Sequence, residues 1–130
     1  RTGLSGFLVL GSNGEGVYLN EKEKIIILSA AREAIPEDRI FMAGTGQEST
    51  RETIRLTNRA AGIGADCALI VTPNFYKSGM THEALKYHYL TVADAAQIPI
   101  LIYNVPQFTG INLDPSLIEA LASHPNIAGI

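Results

Sequence analysis

The feature that most constrains this chain is a regular exchange between short runs that are apolar nearly throughout and longer stretches with apolar residues at helical spacing. The apolar runs cover residues 6–10, 39–43, 66–72, 98–105 and 126–130. A strand with one wet face alternates apolar and polar residues. The first four runs do not, so they read as strands covered on both faces, the habit of parallel sheets. Between them the helices announce their starts. Asn20 with Glu23 reads as a capping box ahead of Ile25, Leu28, Ala31 and Ile35. Ser49 and Thr50 open a second helix with Ile54, Thr57, Ala61 and Ile63 as its stripe, closed by Gly62 and Gly64. Thr81 caps a third, carrying Ala84, Leu85, His88, Val92 and Ala96, and Asp114-Pro115 starts a fourth, with Ile118, Leu121 and Ala122 behind it.

The strand-helix unit recurs about every 30 residues, the size of one β/α step. Without a linker or low-complexity stretch, residues 1–130 read as a single unit. Two α/β architectures accommodate the repeat: an open doubly wound sheet, or a (β/α)8 barrel. Such a barrel takes about 250 residues, so four units and a further strand make about half of one.

Composition narrows the function. The chain is 46% hydrophobic and 18% charged with a net charge of −3, which suits a globular fold with a real core. No Lys/Arg cluster interleaved with aromatics points to nucleic acid. No 18-residue apolar run or secretory leader pattern is present, so the expectation is no membrane association and a cytoplasmic location. The single cysteine, Cys67, gives neither a disulfide framework nor a metal-ligand spacing and reads as a small strand residue.

In either architecture ligands gather at the carboxyl ends of the strands. Here those ends carry Gly11-Ser-Asn-Gly-Glu15, Gly44-Thr-Gly46, Thr72-Pro-Asn-Phe-Tyr76 and Tyr103-Asn-Val-Pro106: hydroxyls, amides and a phenol rather than paired carboxylates. Glu15 reads as a residue that holds its loop. The glycines of 44–46 open no complete nucleotide fingerprint, because Ser49 stands where the pattern needs Gly or Ala, and those of 62–64 precede a strand. His82, His88 and His124 lie on helices or their ends and read as packing or surface residues, and no cofactor or metal is expected. Lys22, Lys24 and Lys86 read as solvated helix charges. Tyr103 closes a strand with its phenol toward the mouth of the sheet, where Ser12 is a candidate partner. Such a pair can shuttle a proton, and the amides of the Ser12-Asn13 turn can receive a carboxylate. On these residues alone, structural and catalytic roles for Tyr103 stand level.

The ordered segments "GSNGE", "AGTG", "GADCALIVTP", "IPILIYNVPQFTG" and "HPNIAGI" resemble the dihydrodipicolinate synthase / N-acetylneuraminate lyase family of Schiff-base aldolases and lyases, over the whole chain. The resemblance implies a partial (β/α)8 barrel running from the second strand to the start of the sixth. It implies catalysis through a lysine that forms an imine with pyruvate or another 2-oxo acid, without a cofactor. Carried over by position, Tyr103 matches the catalytic tyrosine, Ser12 the relay hydroxyl that also meets substrate, and Asn13 the neighbouring carboxylate-binding position. Phe75 stands where the family places a tyrosine lent to a neighbouring subunit, and Tyr76 follows it, so either residue is a candidate for that relay. A homo-oligomer, dimer or tetramer, is implied for the full-length enzyme.

Two departures qualify the match. The family's lysine belongs to a Gly-Ile-Lys type sequence, and this chain closes on Gly129-Ile130, so the nucleophile is expected immediately beyond residue 130 and these residues alone are expected to be inactive. Synthases of the family usually carry arginine two residues after the Tyr-Asn-Val-Pro motif, where Phe108 stands here. Phenyl cannot make guanidinium's bidentate carboxylate contact. With Asn13 and a longer segment over residues 75–88, this favours an aldolase of the 4-hydroxy-2-oxoglutarate or 2-keto-3-deoxy-sugar-acid kind. The alternatives are the synthase that condenses pyruvate with aspartate semialdehyde, a non-catalytic 2-oxo acid binding barrel, and a half-barrel with no ligand.

Overall fold

The computed structural model describes residues 3–130. Its strands are β1 (Gly6–Val9), β2 (Ile40–Gly44), β3 (Cys67–Val71), β4 (Ile100–Tyr103) and β5 (Ile127–Gly129). Its helices are α1 (Glu21–Ala34), α2 (Thr50–Ile63), α3 (His82–Ala95), α4 (Pro106–Thr109) and α5 (Pro115–Ala122). All strand pairs are parallel and the order is β1-β2-β3-β4-β5. Consecutive helices pack against one another, α1 on α2, α2 on α3 and α3 on α5, which puts them on one face of the sheet. A doubly wound sheet reverses its strand order and carries helices on both faces. The monotonic order and one-sided helices are those of a (β/α)8 barrel segment.

The helix starts form as their residues dictate. Asn20 Oδ1 accepts from Glu23 N–H at 3.0 Å while Glu23 Oε2 accepts from Asn20 N–H at 2.8 Å, a complete capping box. Thr81 and Asp114 cap α3 and α5 through Ala84 and Ser116 N–H, and Pro115 takes the first helical position. Gly64, at φ +104, ends α2 in the left-handed region.

Burial corrects the reading of the strands. Phe41, Ala43, Ala68, Ile70, Ile100 and Ile102 are sealed beneath the helices, whereas the residues between them, Met42, Leu69, Val71 and Leu101, are only half-buried. The sheet is thus covered on one face, and the other is an open apolar concavity. The runs lack alternation because barrel strands carry apolar residues on both sides, one toward helices and one toward the barrel interior. On β1, Phe7 and Leu8 stay 36% and 48% exposed.

The helix stripes overlap the expected ones, with Leu28, Ile35, Thr57, Leu85, His88, Val92 and Leu121 buried as read, but are displaced in part. In α2 the buried residues are Thr53, Leu56, Thr57 and Ala60, with Ile54, Ala61 and Ile63 at the margin. In α3 they are Leu85, His88, Tyr89, Val92 and Ala93, and in α5 Leu117 and Leu121, with Ala122 exposed. Two buried clusters result. One joins β3 and β4 to α3 and α5, and the other joins Phe41 and Ala43 to Leu28, Ile35 and Ala60. Each large side chain sealed there contributes about 1.5–3 kcal/mol over leaving it in water.

Candidate active site

The carboxyl ends of β1 to β4 open together onto a cleft of about 690 Å³, a volume in the range that holds small metabolites. After β1 the chain turns sharply through residues 10–19. Ser12–Gly14 forms a single 3-10 turn, closed by Gly14 N–H on the Gly11 carbonyl at 3.0 Å and Glu15 N–H on the Ser12 carbonyl at 3.1 Å. Among the described residues that bonding leaves the amides of Ser12 and Asn13 uncommitted at the start of the turn, where N–H groups attract anions.

Left-handed backbone in this loop falls on Leu10 (φ 64) and Glu15 (φ 52), not on its glycines. Leucine in that region is strained, and such strain clusters where a fold must aim a loop. The glycines that matter for space lie on the next loop. A Cβ on Gly44 would sit 2.3 Å from the Leu10 carbonyl oxygen, and one on Gly46 would sit 2.6 Å from Val71 N. Their bareness lets three strand-end loops lie against each other. The expectation that Glu15 holds its loop is not met by its carboxylate, which is exposed and makes no hydrogen bond among the described residues; only its backbone N–H and carbonyl tie the loop.

Ser12 and Tyr103, 91 positions apart in the chain, meet across this cleft, with the Ser12 hydroxyl 3.4 Å from the Tyr103 oxygen. That is the long end of a hydrogen bond. Ser12 and Asn13 are exposed and Tyr103 is half-buried at the tip of β4. Asn104, next in the chain, fixes the exit of the strand: its amide donates to Asn112 at 2.9 Å and its carbonyl oxygen accepts from Leu113 N–H at 3.3 Å. Phe108 lines the cleft from α4, a helix absent from the sequence reading, and is 61% exposed. Phe75 and Tyr76 stand outside the pair at the rim, 74% and 73% exposed, with their rings edge to face at 5.0 Å.

One cleft residue contradicts its reading outright. Lys22 is exposed as expected, but Lys24 is only 8% exposed, lies in the wall of the cleft, and donates to the Gln47 side-chain oxygen at 3.4 Å. Burial pushes its ammonium below the ordinary lysine range, against the opposing pull of Glu21. Its place inside the first turn of α1, one residue past the capping glutamate, was the only local sign that it could turn inward.

The histidines pack as read. His88 is buried, with Nδ1 2.9 Å from the Thr50 hydroxyl, and desolvation lowers its pKa to about 4. His124 meets Asp94 at 3.0 Å. Behind the cleft the fully buried Tyr89 bonds the Thr72 hydroxyl at 3.1 Å, and burial pushes its phenol up to about 12.

A parallel, one-sided sheet whose loops bring Ser12 and Tyr103 together at a cleft on the strand ends is the arrangement in which barrel folds place their sites. The chain belongs to the dihydrodipicolinate synthetase family, whose model matches residues 1–130. It is 45% identical over 134 residues to a probable mitochondrial 4-hydroxy-2-oxoglutarate aldolase of Emericella nidulans, covering 99% of this chain and 43% of that protein. It is 44% identical over 128 residues to a 4-hydroxy-tetrahydrodipicolinate synthase of Stenotrophomonas maltophilia, covering 98% and 42%. The crystal structure of a dihydrodipicolinate synthase from Acinetobacter baumannii complexed with pyruvate superposes with a TM-score of 0.91 at 37% identity, over 97% of this chain and 43% of that one. The chain thus spans under half the length of these relatives.

Proposed function

We propose that the intact protein is a class I aldolase that makes or breaks the carbon-carbon bond beside the carbonyl of a 2-oxo acid, with a 4-hydroxy-2-oxoglutarate or 2-keto-3-deoxy-sugar acid as substrate. The observation that carries this reading is the Ser12–Tyr103 hydroxyl pair across the cleft. A lysine amine attacks the 2-oxo carbon, and the resulting carbinolamine must lose water to become an imine. Both steps need a proton carrier within reach of the reacting oxygen. A phenol backed by a second hydroxyl does this, and the free amides of Ser12 and Asn13 suit the substrate carboxylate. The amine must be neutral to attack, against an ordinary lysine pKa near 10.4, so the pocket has to disfavour its charge.

The register of the sheet supports the position of that amine. Leu101 pairs with Gly129. Continued two residues without a further shift, that register would set the position directly after Ile130 opposite Tyr103, and we assign the imine-forming lysine there. Incubating the full-length protein with pyruvate and borohydride is expected to add a pyruvate-sized mass on a lysine at that position, and the absence of an adduct overturns the aldolase reading.

The synthase, which condenses pyruvate with aspartate semialdehyde, is the second reading, favoured by the 44% identity to the bacterial relative. Phe108 argues against it, since the cleft wall offers a phenyl ring where a carboxylate would need a guanidinium. Phe108→Arg is expected to raise condensation with aspartate semialdehyde and to lower cleavage of 4-hydroxy-2-oxo acids. A non-catalytic 2-oxo acid binding barrel predicts instead a pyruvate-induced melting shift with no aldehyde released. Of the two exposed aromatics, we assign the inter-subunit relay to Tyr76, because Phe75 has no proton to move. This goes with a homo-oligomer in which Tyr76 reaches a neighbouring cleft. A cytoplasmic location belongs to the proposal as well. Among the described residues no helix is long and apolar enough to cross a membrane, and subcellular fractionation of the full-length protein tests the location.

A further inference from the structure

Glu48 does something that neither its sequence context nor the aldolase chemistry demands. It lies in the loop between β2 and α2, one residue before the Ser49 cap, and its side chain crosses to the loop that follows β3. There both carboxylate oxygens accept from the Asn74 N–H, at 3.1 and 3.0 Å, and Oε2 also accepts from the Phe75 N–H at 3.0 Å. The reach is set by Gly46: with no side chain there, the β2 loop lies directly on Val71 at the end of β3. Asn74 is held from its other side by its own amide, which donates to the Thr72 carbonyl at 3.1 Å. Thr72 in turn is tied to the buried Tyr89.

The residues just past this clamp are Phe75 and Tyr76, about three-quarters exposed yet locked edge to face, with the chain turning back at once through Gly79 N–H on the Tyr76 carbonyl at 2.8 Å. Exposed rings are ordinarily free to rotate and their backbone to flex. Here two consecutive amides are fixed by one carboxylate, and charge-assisted bonds of this type are the stronger class. We propose that Glu48 is a positioning residue: by holding the amides of Asn74 and Phe75 it sets the angle at which the Phe75–Tyr76 pair leaves the rim, and so where the Tyr76 hydroxyl is delivered. The inference rests on the assignment of Tyr76 to proton relay. It adds that the β2 loop, which lines the cleft but carries no reacting group of its own, governs that relay.

The test uses the full-length protein and its Glu48→Ala, Glu48→Gln and Tyr76→Phe variants. Glu48→Ala is expected to lower kcat for cleavage of a 4-hydroxy-2-oxo acid about tenfold, the scale of losing charge-assisted hydrogen bonds, with KM and the pyruvate-borohydride adduct unchanged. Glu48→Gln keeps an acceptor oxygen and is expected to recover most of the loss. In the Tyr76→Phe background Glu48→Ala is expected to cost nothing further, because the group it positions is gone. An unchanged kcat in Glu48→Ala overturns the proposal. So does an equal loss with and without Tyr76, or a loss confined to KM, which would make Glu48 a substrate-binding residue of the cleft. Hydrogen exchange separates this from the aldolase reading. Faster exchange at the Asn74 and Phe75 amides in Glu48→Ala is required whether or not wild type traps pyruvate, and unaltered exchange refutes the clamp by itself.

Discussion

At the scale of single residues, the cleft is built by what some positions lack and what others carry. Gly44 is bare so that the Leu10 carbonyl can pass within 2.3 Å of where a Cβ would be. Gly44→Ala sets a methyl against backbone, which cannot yield as a flexible side chain does. It is expected to cost about 1–3 kcal/mol in equilibrium denaturation, the range for overpacking, and to displace the Ser12 turn. Tyr103 carries the phenol to which the proposed function gives the proton transfer. Tyr103→Phe is expected to lower turnover by roughly 10²–10⁴, the range for a general acid-base group, while the fold and pyruvate binding persist; activity within twofold of wild type ends its assignment. Glu15 and Lys24 show why single residues are hard to read in a sequence. A carboxylate at a strand end and a lysine in a helix's first turn both have stems long enough to point either way, and only the packing of neighbouring elements decides.

At the scale of elements, α2 and α3 are joined by two polar contacts, an exposed one from the Asn58 amide to the Ala95 carbonyl and a more buried one between the His88 ring and the Thr50 hydroxyl. Burial holds the His88 pKa at about 4 in the folded protein against the ordinary histidine value of 6.5, so the unfolded chain binds its proton first as the pH falls. The contribution is therefore neutral above about pH 6.5 and turns against the fold between there and pH 4, reaching roughly 3 kcal/mol. Urea titrations from pH 7 to pH 4 are expected to show this loss in wild type and a shallower one in His88→Gln. Tyr89→Phe strips the buried Thr72 hydroxyl of its phenol partner and is expected to destabilise by about 1–3 kcal/mol. The strands, the caps and the parallel arrangement were legible because apolar runs, Asn20–Glu23 and Asp114-Pro115 are local signals. The stripe of α2 was legible only in part: Thr57 falls on it, but Thr53 is buried through hydrogen bonds to Gln47 of the β2 loop that no periodicity reveals. The four residues of α4 are too few for any period, and the Ser12–Tyr103 pair depends on the sheet bringing distant positions together.

At the scale of the whole molecule, the open face of the sheet dominates. Leu8, Met42, Leu69, Val71 and Leu101 line a concavity that the described residues leave uncovered, and both β1 and β5 have a free edge. Unpaired edges and contiguous apolar surface favour association. The isolated 130-residue chain is accordingly expected to sediment as oligomers or aggregates at micromolar concentration and to show no aldolase activity. A monomeric, cooperatively melting species would contradict this. The strictly ascending strand order carries a consequence for biosynthesis. Every new strand docks beside the one translated just before it, so a nascent chain can gain order as it leaves the ribosome without waiting for distant partners. During that interval the greasy hollow stays exposed, and it is there that a chaperone would find its grip.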